Sequence, residues 1–177
     1  MEQNNHPIEW DEDIRACEEF YAAHPECPKT KNIEVLNLVM KKEFAEQILR
    51  GEKTVEFRSV NDFYYKRIYD HDVVKFMNEH GKEPEFEGAI DEGIIYPIRQ
   101  VLKIHFHNYS NSWYLDVECI ANNDICVTRP QVKDLQDDFN CHELDEMLED
   151  LEARKAEDRP MFFYFALGKV LDTNLKV

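Results

Sequence analysis

Two hydrophobic periods follow one another along residues 33–58 and predict the elements of that segment. Residues 33–39 are mostly apolar, which is typical of a strand, whereas residues 41–50 place their apolar side chains on one helical stripe. Gly51 comes next, where a glycine commonly ends a helix in the left-handed conformation. From Lys53 the period changes to two, as in a half-buried strand. The pattern predicts a strand, a short helix and a second strand.

Alternation also marks the second half of the chain. Residues 98–107 and 113–121 both alternate between apolar and polar, and the polar stretch 108–112 predicts the turn of an antiparallel hairpin. Residues 125–128 suit one more short strand. Residues 161–171 are nearly all apolar, which is typical of a central strand buried on both faces.

Helical spacing predicts an amphipathic helix at residues 8–24, whose apolar stripe includes Trp10 and whose other face is strongly acidic. A second acidic helix is predicted at about 141–156, because Asn140 and Glu143 are spaced like a capping box. Each acidic face is interpreted as a solvated surface.

Between these elements, residues 61–72 are aromatic and basic and predict a turn or two of helix. Residues 73–76 predict a short strand. Residues 79–97 predict an irregular loop. The sum is an α+β fold with a small, mostly antiparallel β-barrel flanked by helices. We expect residues 1–32 to form an acidic helical extension and residues 33–177 to form the domain itself.

The composition is that of a globular chain with a large negative charge. Of the 177 residues, 43% are hydrophobic, and the formal net charge is −16 at pH 7. Such a surface repels nucleic-acid phosphates, whose binding depends on Lys and Arg displacing counterions. Residues 33–78 differ, because they carry eight basic and eight acidic side chains. A nucleic-acid role must therefore rest on a local positive patch.

Cysteine usage and hydropathy predict a cytoplasmic protein. Five cysteines, an odd number with no CxxC pair, are typical of a reduced compartment. The acidic N-terminus lacks an apolar signal segment, and no apolar run approaches the roughly 20 residues of a membrane span. We therefore expect no membrane partner.

Three charged side chains at tight spacing are the best candidates for a functional site: Lys53, Glu56 and Arg58. Lys53 and Arg58 are suited to meet a phosphate or a carbonyl oxygen, since Arg recognises anions and base edges through paired hydrogen bonds. Glu56 would orient the cations or accept from the exocyclic amine of a base. The structural alternative is a surface ion pair between Glu56 and Arg58, worth about 0–1 kcal/mol.

Three neighbours extend this candidate ligand site: Lys41, Tyr64 and Lys66. Bases stack on aromatic rings at about 1–3 kcal/mol each, and lysines beside the ring would meet the phosphates. An aromatic helix face is more often core. His105 and His107 share the outward face of one predicted strand, but zinc needs at least one further ligand, so we expect surface histidines, no metal and no cofactor.

The stretch Gly51-Glu-Lys53-Thr-Val-Glu56-Phe-Arg58 resembles the GxKxxExR signature of ASCH domains, relatives of the PUA domain, and all four signature positions are filled. The helix before it and the later strands, up to about residue 172, resemble the family too. The resemblance implies a PUA-like β-barrel whose first helix borders a cleft lined by the motif. It also implies binding of RNA.

Some relatives are small hydrolases, and one group removes the acetyl group from N4-acetylcytidine with a lysine, a threonine and a glutamate. Lys53 matches that lysine, whereas Glu56 stands at the position of the threonine. A metal-dependent ribonuclease activity is also attributed to the family, but this sequence has no compact carboxylate cluster to hold the metal.

Three hypotheses follow. The favoured one is a cleft that binds RNA or a modified nucleoside through Lys53, Glu56 and Arg58. The second is a metal-independent amidohydrolase that uses Lys53 as a base in a partly dry cleft, together with Glu56, on an acylated nucleoside. The third is an interaction protein whose acidic surface contacts a basic protein partner.

Overall fold

The computed structural model describes residues 8–176, with side chains from residue 12 onward, and the side chain of Trp10 lies outside that range. The strands are β1 (Ile33–Val39), β2 (Val55–Ser59), β3 (Val101–His107), β4 (Tyr114–Cys126) and β5 (Met161–Thr173). The helices are α1 (Ile8–Ala23), α2 (Lys42–Leu49), α3 (Asp62–Ile68), α4 (His71–His80), α5 (Pro84–Asp91), α6 (Arg129–Phe139) and α7 (Asp145–Ala153). None of the helices in the described range is long and apolar enough to cross a membrane.

All five strands form one sheet in the order β1-β3-β4-β5-β2, in which β1 and β3 are parallel and the other pairs antiparallel. The sheet curls into a half-barrel. Register shifts interrupt the pairing of β4 with β5 between Asp116 and Ala121. Extra residues of this kind bend a strand and increase its twist, which contributes to the curl. The predicted α+β fold with a small, mostly antiparallel barrel is confirmed in this half-closed form.

The predicted strand at residues 73–76 is wrong, because these residues lie in helix α4. Val73 and Phe76 are buried three residues apart on one helical face. The carboxylate of Asp70 caps this helix by accepting hydrogen bonds from the backbone of Asp72 and Val73. A four-residue segment with three apolar side chains fits either period, so the cap decides the outcome. The predicted loop at 79–97 likewise contains α5, which begins at a proline.

The predicted capping box is also wrong. Asn140 does not begin a helix but ends α6 in the left-handed conformation, with φ of 50°. Helix α7 begins at Asp145, and the first half of the predicted separate strand at 125–128 is the end of β4. Glu143 does not cap a helix and lies in the short connection between α6 and α7.

The chain folds as two compact units. The described residues up to Lys31 form the first together with Lys66–Arg99, and Asn32–Tyr65 with the residues from Gln100 onward form the second. Each has apolar residues of its own at its centre. The buried cluster of the first unit comprises Cys27, Val73, Phe76, Phe86, Ala89 and Ile95. A buried cluster of the second comprises Val55, Ile125, Val127, Val132, Leu135, Cys141, Leu144, Leu148 and Leu151. The division of the chain after residue 32 stays a prediction.

Candidate functional site

The turn between α2 and β2 places the motif. Gly51 has φ of 73°, which favours glycine, and the backbone N–H of Lys53 then donates to the carbonyl of Gln47 at 3.2 Å. This contact holds Lys53 against the end of α2. Strand β2 pairs with β5, so that Glu56 lies opposite Phe165 and Arg58 opposite Phe163. Both side chains therefore start from a fixed backbone.

Glu56 joins the two cations of the motif. Its Oε1 lies 2.7 Å from Nη2 of Arg58, and its Oε2 lies 3.5 Å from Nζ of Lys53. The exposed fraction of the side chain is 8% for Lys53, 10% for Glu56 and 20% for Arg58. The ion pair between Glu56 and Arg58 that was expected at the surface is thus largely buried. In a buried pair the attraction offsets the cost of desolvation only if the two groups are well positioned. Burial raises the pKa of the Glu56 carboxyl, and the adjacent Arg58 and Lys53 cations oppose that shift.

A second carboxylate, which the sequence did not reveal, completes the site. Nζ of Lys53 lies 2.8 Å and 3.0 Å from the two carboxylate oxygens of Glu143. The Glu143 side chain is 43% exposed, so it closes the solvent side of Lys53. Ninety positions separate the two residues in the chain. No local sequence signal pairs them, because the contact exists only once the α6–α7 connection reaches β2.

Arg58 connects β2 to the end of β1. Its Nη2 donates to the backbone carbonyl of Val39 at 2.9 Å, and its Nη1 lies 3.5 Å from the hydroxyl of Tyr64. Its Nε is buried and has no hydrogen-bond partner among the described residues. Strands β1 and β2 end the sheet order on opposite sides. Arg58 therefore bridges the two ends of the half-barrel through a side chain.

The other predicted ligand residues are found in different surroundings. Lys41 is exposed at the position that precedes α2, where it lines a cavity of about 910 Å³. The hydroxyl of Tyr64 lies 3.5 Å from Nη1 of Arg58, at the outer limit of a hydrogen bond. Lys66 belongs to the first unit, where it lines a cavity of about 260 Å³ with Asp70 and Arg99. The ligand roles of these residues stay predictions.

The histidines of β3 have their own partners. Nδ1 of His105 contacts the Asp116 carboxylate, and its ring stacks with those of His107 and Tyr114. Within the part of the chain that the structure describes, no group of three His, Cys, Asp or Glu side chains is placed to hold a metal ion.

Comparisons with known proteins give one structural relative. No family model matches the chain, and no curated protein matches it. Among solved structures, it is similar to the crystal structure of a mutant ZmASCH protein from Zymomonas mobilis. The two share 14% identity with a TM-score of 0.38, over 78% of this chain and 70% of the other.

Proposed function

We propose that this chain binds an RNA segment or a modified nucleoside at the Lys53–Glu56–Arg58 site. One observation carries the proposal: two cations are fixed on one buried carboxylate, and the remaining positive charge is met by Glu143, the most exposed member of the group. A phosphate or carbonyl oxygen that replaces Glu143 would gain a positioned ammonium donor.

Each residue has a distinct role in this proposal. Glu56 positions the cations, since both of its oxygens already face them. Lys53 meets the ligand once Glu143 withdraws. Arg58 contributes through Nε, because a buried donor without an acceptor costs about 1–3 kcal/mol and a ligand oxygen would relieve that cost. Tyr64, whose hydroxyl lies 3.5 Å from Arg58, would stack on a base.

The test is a screen of nucleosides and short single-stranded RNAs for thermal stabilisation at low salt. A ligand at 100 times its dissociation constant adds about 2.7 kcal/mol to the free energy of unfolding. We expect at least one ligand to stabilise the native chain and to lose that effect with Lys53→Ala. The matched control is Lys75→Ala, which removes one positive charge from a lysine whose side chain is 74% exposed.

Equal binding by the native chain, Lys53→Ala and Lys75→Ala would contradict the proposal, as would the absence of any ligand in the screen. Variants that bind no ligand must still unfold cooperatively, so that lost binding is not mistaken for lost structure. Arg58→Lys, which keeps the charge and removes the planar fork, tests the geometry separately.

The second candidate is the amidohydrolase, because Lys53 and Glu56, which it would use together, lie 3.5 Å apart. The ammonium group of Lys53 faces three carboxylate oxygens of the protein, so a role as a base would also require Glu143 to move. Turnover of N4-acetylcytidine that persists with a chelator and disappears in Lys53→Ala would establish this activity over simple binding.

The basic protein partner remains the third candidate. It rests on the net charge of −16, which favours association with positively charged surfaces. Stoichiometric capture of one basic protein, unchanged by substitutions at Lys53, Glu56 and Arg58, would establish it.

A further inference from the structure

One cavity of the sheet-containing unit is lined by positive charge, although the whole chain is strongly negative. It measures about 910 Å³ and lies between the start of α2, the turn from β3 to β4 and the segment after β5. Three lysines line it, whereas no Asp or Glu does, although the chain carries a net charge of −16. The lining residues are Val39, Met40, Lys41, Lys42, Asn108, Tyr109, Ser112, Trp113, Asn174, Leu175 and Lys176.

Two asparagines fix the walls of this cavity. The Asn108 amide nitrogen donates to the hydroxyls of Ser110 and Ser112, and its oxygen accepts from the backbone of Ser112 and Trp113. The Asn174 oxygen accepts from the backbone of Tyr114 at 2.8 Å, and its amide nitrogen donates to the carbonyl of Ser112. These contacts tie the turn to the end of the chain, so the cavity is formed before any ligand arrives.

The positive charge of the cavity is available to a ligand. Lys42 pairs with Glu46 at 3.6 Å, whereas no ion pair is found for Lys41 or Lys176 within the described residues. Lys41 also precedes the first turn of α2 and provides no side-chain cap for its N–H groups. A helix start adds positive potential to that of the lysines, and the combination suits a phosphate.

An aromatic ring stands at the mouth of the cavity. Tyr109 is 91% exposed at the tip of the β3–β4 turn, although most tyrosines bury much of their ring. Trp113, which is only 7% exposed, lines the inner part. A free aromatic face beside lysines is the arrangement with which proteins stack a base while they hold its phosphate.

We infer that this cavity binds a nucleotide unit, with its phosphate at Lys41 and Lys176 and its base against Tyr109. The cavity shares none of the motif's charged residues, and it adjoins the motif at Val39, whose carbonyl accepts from Arg58. A free nucleotide and a nucleotide within an RNA strand present the same phosphate and base. Only an RNA strand is long enough to occupy this cavity and the motif at the same time.

Trp113 provides a direct readout of this site. The chain has two tryptophans, so Trp10→Phe leaves Trp113 as the single one, and its fluorescence then reports on the cavity. We expect saturable changes on titration with a nucleoside monophosphate and with a short single-stranded RNA. The unphosphorylated nucleoside should bind more weakly by about tenfold or more, because it lacks the phosphate.

Two variants made in that background separate the two contacts. Tyr109→Ala should weaken nucleotide binding by about tenfold, since stacking contributes of that order, and should leave the binding of inorganic phosphate unchanged. Lys41→Glu with Lys176→Glu should weaken both ligands, whereas Lys75→Glu, a matched charge reversal at an exposed lysine, should weaken neither beyond a small change.

The inference is overturned if neither nucleotide nor phosphate alters the Trp113 signal, or if both variants bind like the parent. Lys53→Ala distinguishes this inference from the proposed function, because it removes a motif cation and leaves every lining residue in place. Mononucleotide binding that survives Lys53→Ala supports a separate site. If Lys53→Ala abolishes mononucleotide binding, the nucleotide binds at the motif, and a second site is contradicted.

Discussion

Lys53 lies between two carboxylates of unequal exposure, and that inequality sets the chemistry of the motif. Glu56 is held from both sides by cations and is almost inaccessible, whereas Glu143 reaches Lys53 from a connection on the solvent side. Removing a partner of a buried charge is costly, but an exposed partner is readily replaced by water or a ligand. We therefore expect a ligand to exchange with Glu143 rather than with Glu56.

This difference gives a prediction with a definite sign. Glu143→Gln should strengthen the binding of an anionic or carbonyl-bearing ligand at Lys53, because the competing carboxylate charge is gone. An increase of about threefold to tenfold corresponds to the roughly 1 kcal/mol of a partly exposed ion pair. Titration of the ligand from the thermal screen measures it. A weaker affinity in Glu143→Gln would show that Glu143 contributes to the site rather than occupying it.

The Glu56 carboxyl supports a prediction about pH. Burial raises its pKa in the folded chain, so the folded state holds this proton to higher pH than the unfolded state does. The contribution of Glu56 to stability is therefore greatest below its unfolded pKa and falls as pH rises through the folded pKa. The free energy of unfolding of the native chain, minus that of Glu56→Gln, should decrease with pH above about 4.5. An increase would mean that Arg58 and Lys53 outweigh burial.

At the scale of elements, a single cap decides the identity of α4. Asp70 is buried, caps the helix, and also accepts a hydrogen bond from the backbone of Lys31 at 3.0 Å. Residues 73–76 fit a strand or a helix by their apolar pattern, and the cap at Asp70 favours the helix. The neighbouring Asp72 lies within the first turn, where its negative charge favours the helix start.

Asp70→Ala should therefore lower the free energy of unfolding by about 1–3 kcal/mol, because a cap and a buried acceptor are lost together. Asp70→Asn keeps an oxygen acceptor and should recover much of that loss. Asp72→Ala serves as the matched control and should cost well under 1 kcal/mol. Denaturant unfolding of the three variants measures the differences, and equal losses for Asp70→Ala and Asp72→Ala would contradict the cap.

The elements that the sequence predicted well are those with one dominant signal. Strand β1, helix α2 with its stop at Gly51, and the hairpin of β3 and β4 each have a clear period and a polar turn. No element was predicted for residues 129–139, which form helix α6 with Pro130 in its first turn, a position that suits proline. Asn140 was assigned to the start of a helix, yet the same residue type is favourable in the left-handed end of one.

At the scale of the whole molecule, the net charge of −16 is a source of self-repulsion. Added salt screens repulsion between exposed charges, since the Debye length shortens to about 8 Å at physiological ionic strength. We therefore expect the melting temperature to rise between low salt and about 0.15 M sodium chloride. A fall would mean that surface ion pairs such as Arg129 with Glu152 contribute more than the repulsion does.

The sequence by itself determined which charged residues stand together along β2. The period change after Gly51 fixed the strand, and the alternation along it placed Glu56 and Arg58 on one face of that strand. Local signals suffice there because helix stops and strand faces depend on neighbouring residues in the chain. The mixed α+β class likewise follows from local patterns, because each element shows its own period.

Only the tertiary structure decided how deeply those residues are buried and which partners they contact. It buried the pair that the sequence left at the surface, brought Glu143 to Lys53 across ninety positions, and joined Arg58 to the end of β1. It also gathered Lys41, Tyr109 and Lys176 around one cavity. Such contacts depend on sheet order and on where connections return. No local period in the chain encodes either one.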